Sequence, residues 1–340
     1  MAQLDPQLLL IVDELRRRVE EANTYSNLGR YDEALALQEE VLAGYRTVFP
    51  PDHPDVLAAI ENLAITYSNL GRNDEALALQ EEVLAGYRTV FPPDHPNVLR
   101  AKSNLANTYS NLGRYDEALT LKEEALAAYR TVFPPDHPNV LWAMGDLAGT
   151  YSNLGRYDDA LALKEEVLAA YRAGLPPDHP DVLMAMGNLA NAYSKLGRND
   201  EALTLQEEVL AAYRAVFPPD HPNVLMAMNN LASTYSNLGR YDEALTLQEE
   251  VLAAYRAVFP PDHPYVLMAI GNLAGTYSNL GRYDEALTLK EEVLAAYRAV
   301  FPPDHPNVLR AMENLVIIYS NLGRHEDAQV LRDELNRLGS

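Results

Sequence analysis

Cysteine is absent from the 340 residues. Disulfides, thiol nucleophiles and thiolate metal sites are therefore excluded, and the composition fits a reducing compartment. Basic residues are scarce: 27 Lys and Arg stand against 49 Asp and Glu, a net charge of −22. Nucleic acid and anionic membranes are disfavoured as partners, because both are bound through basic patches. Long apolar runs are missing too. The N-terminal run from Leu8 to Val12 follows an acidic residue and is too short for a signal-peptide core. No run approaches the roughly 18 residues of a membrane span. No glycine-rich phosphate-binding motif occurs. These absences read as a soluble, cytoplasmic protein without a cofactor.

What the chain has is repetition. "LGR" begins at Leu28, Leu70, Leu112, Leu154, Leu196, Leu238, Leu280 and Leu322, always 42 residues apart. "PPDHP" begins at Pro50, Pro92, Pro134, Pro176, Pro218, Pro260 and Pro302, with the same spacing. Eight units follow one another without linkers, the signature of stacked supersecondary units.

Each unit reads as two helices. In the second copy Val56, Leu57, Ile60, Leu63, Ala64 and Tyr67 form an apolar stripe at helical spacing, over roughly Pro54 to Leu70. Gly71 stops that helix. Ala76, Leu79, Val83, Tyr87 and Val90 give the buried face of a second helix, over roughly Asp74 to Val90. Asp74 and Glu75 suit the positive end of its dipole, and Arg88 the other end. Consecutive prolines then break the helix, and the Pro after His suits a first helical turn. Short turns make the two helices antiparallel. One pair cannot bury both its faces, so the pairs must stack.

The ends are polar where the middle is apolar. Arg17, Arg18 and Glu21 occupy columns that elsewhere hold Ala, Met or Ile, and Leu. In the last copy Asn336 replaces a Leu and Gly339 a Tyr. This predicts one solenoid domain over 1–340, with capping helices at 1–28 and 325–340 and an array complete at both ends.

In the second copy Leu63, Ala64, Tyr67, Gly71 and Ala76 resemble the tetratricopeptide repeat, with Tyr115 of the third copy standing in the place of Asn73. The 42-residue length and "DHP" are similar to the longer repeats of kinesin light chains, and to the repeat tails of some nucleotide-binding immune-type receptors. The resemblance covers nearly the whole chain. It implies an all-α fold, an α-solenoid of eight antiparallel helix pairs in a right-handed superhelix. First helices would line a concave groove that contacts ligands, and second helices the convex side. The sequence shows neither the receptors' nucleotide-binding domain nor the light chains' heptad segment. Chaperone-binding members clamp a terminal carboxylate with a Lys/Asn/Arg constellation, and its residues are not matched here.

Comparing the copies shows which columns are free to change. One first-helix column reads Ala58, Arg100, Trp142, Met184, Met226, Met268, Arg310, and it includes the only tryptophan. A second reads Glu61, Ser103, Gly145, Gly187, Asn229, Gly271, Glu313. A third reads Ile65, Asn107, Gly149, Asn191, Ser233, Gly275, Ile317. Spacings of three and four put them on one helical face. A core column would not tolerate Arg, Trp, Met and Ala together. Drift on an exposed face is one reading, and a diversified binding surface is the other. Second-helix variation is mild, such as Gln or Lys at Gln80 and Lys122, and this favours the second. Trp142, Met184, Met226 and Met268 would form a semi-continuous apolar strip flanked by Arg100 and Arg310. Asn107 and Asn191 would border it. The glycines would either make room for a ligand or allow tight helix packing. Met144, Met186, Met228 and Met312 lie on the buried stripe and read as core.

Two asparagine columns barely vary. The first holds Asn62, Asn104, Asn188, Asn230, Asn272 and Asn314, with Asp146 as its exception. Asn can donate to and accept from an extended peptide backbone, or it can bond between repeats. The second, which includes Asn69 beside the Gly turn, reads as either a ligand contact or a helix cap. The "PPDHP" histidines recur once per unit, too far apart to share one metal ion, and read as turn residues. The paired Glu81 and Glu82 read as a solvated convex face. No metal or catalytic residue is expected. The sequence points to a non-enzymatic scaffold whose groove takes a protein or peptide. The alternative is a structural spacer or a weakly self-associating repeat array.

Overall fold

The computed structural model describes residues 6–338. The replacement at Gly339 thus lies outside the described residues. Among them are sixteen α-helices and no strands, arranged in eight pairs. The pairs are α1 (Pro6–Asn27) with α2 (Tyr31–Val48), α3 (Pro54–Asn69) with α4 (Asn73–Val90), α5 (Pro96–Asn111) with α6 (Tyr115–Val132), and α7 (Pro138–Asn153) with α8 (Tyr157–Gly174). There follow α9 (Pro180–Lys195) with α10 (Asn199–Val216), α11 (Pro222–Asn237) with α12 (Tyr241–Val258), α13 (Pro264–Asn279) with α14 (Tyr283–Val300), and α15 (Pro306–Asn321) with α16 (His325–Leu338). The chain falls into two compact units, Met1–Ala173 and Gly174–Ser340.

The turn inside each pair is set by glycine. Gly71 has φ 75°, and its counterparts lie between 70° and 75°. That left-handed region strains any residue with a Cβ. It lets the Arg72 N–H donate to the Tyr67 carbonyl at 2.9 Å, closing the first helix. The Arg72 guanidinium then lies 4.4 Å from the Tyr67 ring centroid and bonds Glu75 in the next helix at 2.9 Å.

The turn between pairs is set by histidine. His53 Nδ1 accepts the Asp55 N–H at 3.2 Å, capping α3 with Pro54 in its first turn. Phe49 stacks on the imidazole with ring centroids 3.9 Å apart. The same stack recurs at Phe91, Phe133, Phe217, Phe259 and Phe301 with the histidine of each turn. In the fourth copy Leu175 stands where the others have Phe. The boundary between the compact units, after Ala173, falls in that same segment.

Side chains of successive helices interleave in the core, as Leu15, Val41, Val56, Val83 and Val98 of α1 to α5 do in one cluster. Val56, Leu57, Ile60 and Tyr87 are fully buried in the first unit, and Ile270, Met312 and Leu315 in the second. Each such side chain contributes about 1.5–3 kcal/mol by leaving water.

Polar bonds between neighbouring copies supplement this. The paired glutamates, read from sequence as a solvated face, each have a partner. The first accepts a tyrosine hydroxyl from the next copy: Tyr67 to Glu39 at 2.9 Å, Tyr109 to Glu81 at 3.0 Å, Tyr277 to Glu249 at 2.8 Å. The second takes an arginine from the copy before: Arg46 to Glu82 at 2.9 Å, Arg256 to Glu292 at 2.7 Å. Glu81 and Glu82 are exposed, as a solvated face requires, and the correction concerns Gln80 and Lys122, grouped from sequence with the convex second-helix surface. Both are buried, as are Gln38, Gln206 and Gln248. The column turns inward against the next copy's first helix, where Lys122 Nζ meets Asp146 at 2.8 Å.

Candidate functional site

The variable first-helix columns do not share one environment. Trp142 in the first unit is 51% exposed. In the second unit Met184 and Met226 are 53% exposed and Met268 43%. Their neighbours two residues on, Met144, Met186 and Met228, are buried, as is Met312. One helix therefore presents a large apolar side chain to water and another to the core. Asn107 and Asn191 are also exposed, one helical turn or two further along the same face.

The glycines on this face are not packing contacts. A Cβ built at Gly145, Gly149, Gly187, Gly271 or Gly275 would meet nothing within 4 Å. Tight helix packing therefore does not account for them, and what they leave is open space.

Arg100 is not free. Its Nε and Nη2 donate to the two carboxylate oxygens of Glu61, both at 2.8 Å. Asn104 donates to the same carboxylate at 2.9 Å, and the Tyr87 hydroxyl donates to it at 3.3 Å. Glu61 is buried, so the three donors compensate a charge withdrawn from water. The hydrogen bond to Glu61 raises the Arg100 pKa further, while burial raises that of Tyr87. Arg310, in the same column, is exposed. Its Nη2 reaches Asn307 on its own helix at 3.3 Å.

The asparagine column is partly committed to inter-copy bonding. Besides Asn104, Asn272 donates to Asn229 at 2.9 Å. Asp146 serves Lys122. Asn62 is half-buried beside Gln38, while Asn188 is exposed and Asn230 half-buried. Asn314 lines a cleft.

That cleft brings several of the sequence candidates together within the second unit. It has a volume of about 570 Å³ and lies between α13, α14 and α15. Met268 and Asn272 line it from α13, and Arg310 and Asn314 from α15. Tyr297, Val293 and Val300 of α14 contribute too, and these three were not singled out from sequence. Their columns hold Tyr or Val in most copies, with Ala125 and Gly174 as exceptions, so copy-to-copy variation does not mark them. Smaller clefts on the other side of the pairs recur with the same residue types, Glu81, Arg88 and Tyr109 in one copy and Glu249, Arg256 and Tyr277 in another, and so belong to the repeat architecture.

Among the described residues no group of three or more His, Asp or Glu is placed to hold a metal ion. No helix among them is long and apolar enough to cross a membrane.

Glycine-turned helix pairs of constant length, bonded copy to copy and built without strands, define an all-α solenoid of repeats. The tetratricopeptide repeat family model matches residues 18–89, 90–173, 181–257 and 265–331. The chain therefore belongs to the tetratricopeptide-repeat family, and its repeats are of the kinesin-light-chain-like type. A solved structure described as a kinesin light chain of nearly identical TPR-like repeats, from Podosopora anserina, is 31% identical. The match covers 61% of this chain and 99% of that one, with a TM-score of 0.56. BtubC (BKLC) from P. vanneervenii is 20% identical over 66% of this chain and 90% of its own, at a TM-score of 0.55. The apo quorum sensor NprR from B. thuringiensis is 15% identical, covers 99% of this chain and 90% of its own, and reaches a TM-score of 0.71, a likeness of fold. Among curated proteins none matches the chain in sequence. The chain is thus a repeat scaffold of the kind that serves protein interaction.

Proposed function

We propose that the exposed first-helix face binds a peptide segment of a protein partner, extended or helical, and that the chain acts as a non-enzymatic scaffold. One observation carries this reading: Met184, Met226 and Met268 stand about half exposed on successive first helices of one compact unit. Methionine is flexible and polarisable and suits permissive recognition of apolar side chains. The unpacked glycines at Gly187, Gly271 and Gly275 leave room beside them, although a mid-helix Gly costs about 1 kcal/mol relative to Ala. Asn191 and Asn230 lie on the same helices as hydrogen-bonding groups for a peptide backbone. In the first unit Trp142 occupies the corresponding column.

The test is selection from a displayed peptide library against the whole chain, followed by affinity measurements on Met184→Ala, Met226→Ala and Trp142→Ala. Loss of an apolar anchor should weaken binding about tenfold or more in at least one variant. Undiminished binding in all three would remove this face as the site.

A further inference from the structure

Two copies of the same constellation differ in one residue. In the second copy Glu61 is held by Arg100, Asn104 and Tyr87. Five repeats further on, the counterparts of these donors are Arg310, Asn314 and Tyr297, and the counterpart of Glu61 is Gly271. All four line the cleft between α13, α14 and α15. The three donors are in place and the acceptor is missing. Arg310, in place of a bidentate carboxylate, has only the 3.3 Å contact to Asn307. Tyr297 is half-buried where Tyr87 is fully buried, and it lines the cleft. A Cβ at Gly271 would meet no atom within 4 Å, so the place of the missing side chain is open.

We propose that Arg310, Asn314 and Tyr297 form a receptor for the carboxylate of a glutamate side chain in a bound peptide, in the place that Glu61 fills from within the chain. The inference rests on the peptide-binding reading above and names one residue of the ligand. Glu61 supplies the pattern for the chemistry: a bidentate guanidinium contact with an amide and a phenol on the remaining lone pairs. A peptide running past Gly271 would present a glutamate as Glu61 is presented in the second copy. Met268, one turn before Gly271, offers an apolar surface to the peptide's neighbouring side chain. Asp262 also borders the cleft, and the net charge of −22 opposes long acidic ligands. The ligand is therefore a single glutamate flanked by apolar residues rather than an acidic run.

The test has two arms. The first uses no ligand and compares thermal melting of Gly271→Glu, Gly271→Gln and Gly271→Ala. An implanted carboxylate should be taken in by the three donors, so that Gly271→Glu melts about 2 °C or more above Gly271→Gln. Equal or lower melting of the Glu variant overturns the receptor. The second arm measures binding to an array of acetylated, amidated peptides, each made with Glu and with Gln at one position. The wild-type chain should prefer the Glu member about tenfold or more, and Gly271→Glu and Arg310→Gln should both lose that preference. Peptides bound equally well with Gln leave the groove reading intact and remove the carboxylate receptor. The Gln peptides are also made with a free C-terminal acid, and tighter binding of that form than of the amidated Glu form shows a terminal carboxylate and overturns the side-chain assignment. No binding by the wild-type chain to any peptide removes both readings.

Discussion

Lys122 stands in a column that holds glutamine in four copies and lysine again at Lys164 and Lys290, and Asp146 stands in a column that holds asparagine in six copies and Glu20 in the first. Of the three lysines only Lys122 has an acid at the matching position of the next copy, where the other two have Asn188 and Asn314, and it meets Asp146 at 2.8 Å with the lysine 6% exposed. A buried charge without its partner costs more than the pair gains. Lys122→Gln alone should therefore destabilise the chain by about 1–3 kcal/mol, and Asp146→Asn alone likewise. The double variant gives the Gln–Asn match of the four glutamine copies and should recover most of the loss, as urea unfolding of the four proteins would show. Additive losses would mean that the two side chains act independently. In the sequence Asp146 was visible as an exception and Lys122 only as one of three lysines in its column, but 24 residues separate them and nothing in one copy links them. Only the packing of α6 against α7 does so. The same holds for Arg100, legible as a variable groove residue yet spent on Glu61 in the previous copy.

At the level of the helix, the sequence was informative about period and poor about environment. Helix bounds, the Gly turn and the proline break followed from local chemistry and lie within a residue or two of the observed limits. Whether a column faces water, the next copy or a cleft depends on helices that are not adjacent along the chain. The Gln80 and Lys122 column was misplaced for that reason. The helical glycines make the point testable. Gly149 in α7 and Gly275 in α13 have helical backbone and nothing within 4 Å of an added Cβ. Each change to Ala should stabilise by about 1 kcal/mol through helix propensity and a smaller unfolded ensemble. Calorimetry of Gly149→Ala and Gly275→Ala should show melting of the unit that carries the change about 2–4 °C higher, by the usual scaling for a unit of that size. Lower melting would reveal a close approach in solution. Gly71, at φ 75°, should respond oppositely, because any Cβ there is strained.

Across the whole molecule the repeated charges set the response to pH. Glu33, Glu75, Glu117, Glu201, Glu243 and Glu285 are each held below the ordinary carboxylate range by a hydrogen bond from the arginine three residues before. Their stabilising effect is present above about pH 4.5 and is lost as the pH falls further. Tyr67, Tyr109, Tyr151, Tyr235, Tyr277 and Tyr319 are shifted upward by burial and then by their glutamate acceptors, Tyr319 to about 12. That contribution is present below pH 10 and is lost as the pH rises from there towards 12. The urea midpoint should therefore be flat across neutral pH, fall below about 4.5 and fall again above 10. A midpoint unchanged between pH 10 and 12 would mean that the tyrosine–glutamate bonds contribute nothing.

Those bonds join residues at constant offsets: 28 from glutamate to tyrosine and 36 from arginine to glutamate. Both are shorter than the 42-residue period, so every staple reaches only the adjoining copy. A recombination event that removes or adds one whole period rejoins equivalent positions and keeps both offsets across the new joint. Length can then vary between descendants without redesign of any joint. What such an event does not preserve are the copy-specific matches, Glu61 with Arg100 and Lys122 with Asp146. Those are the places where the order of the copies is written into the chain and where a shuffled array would lose its fit.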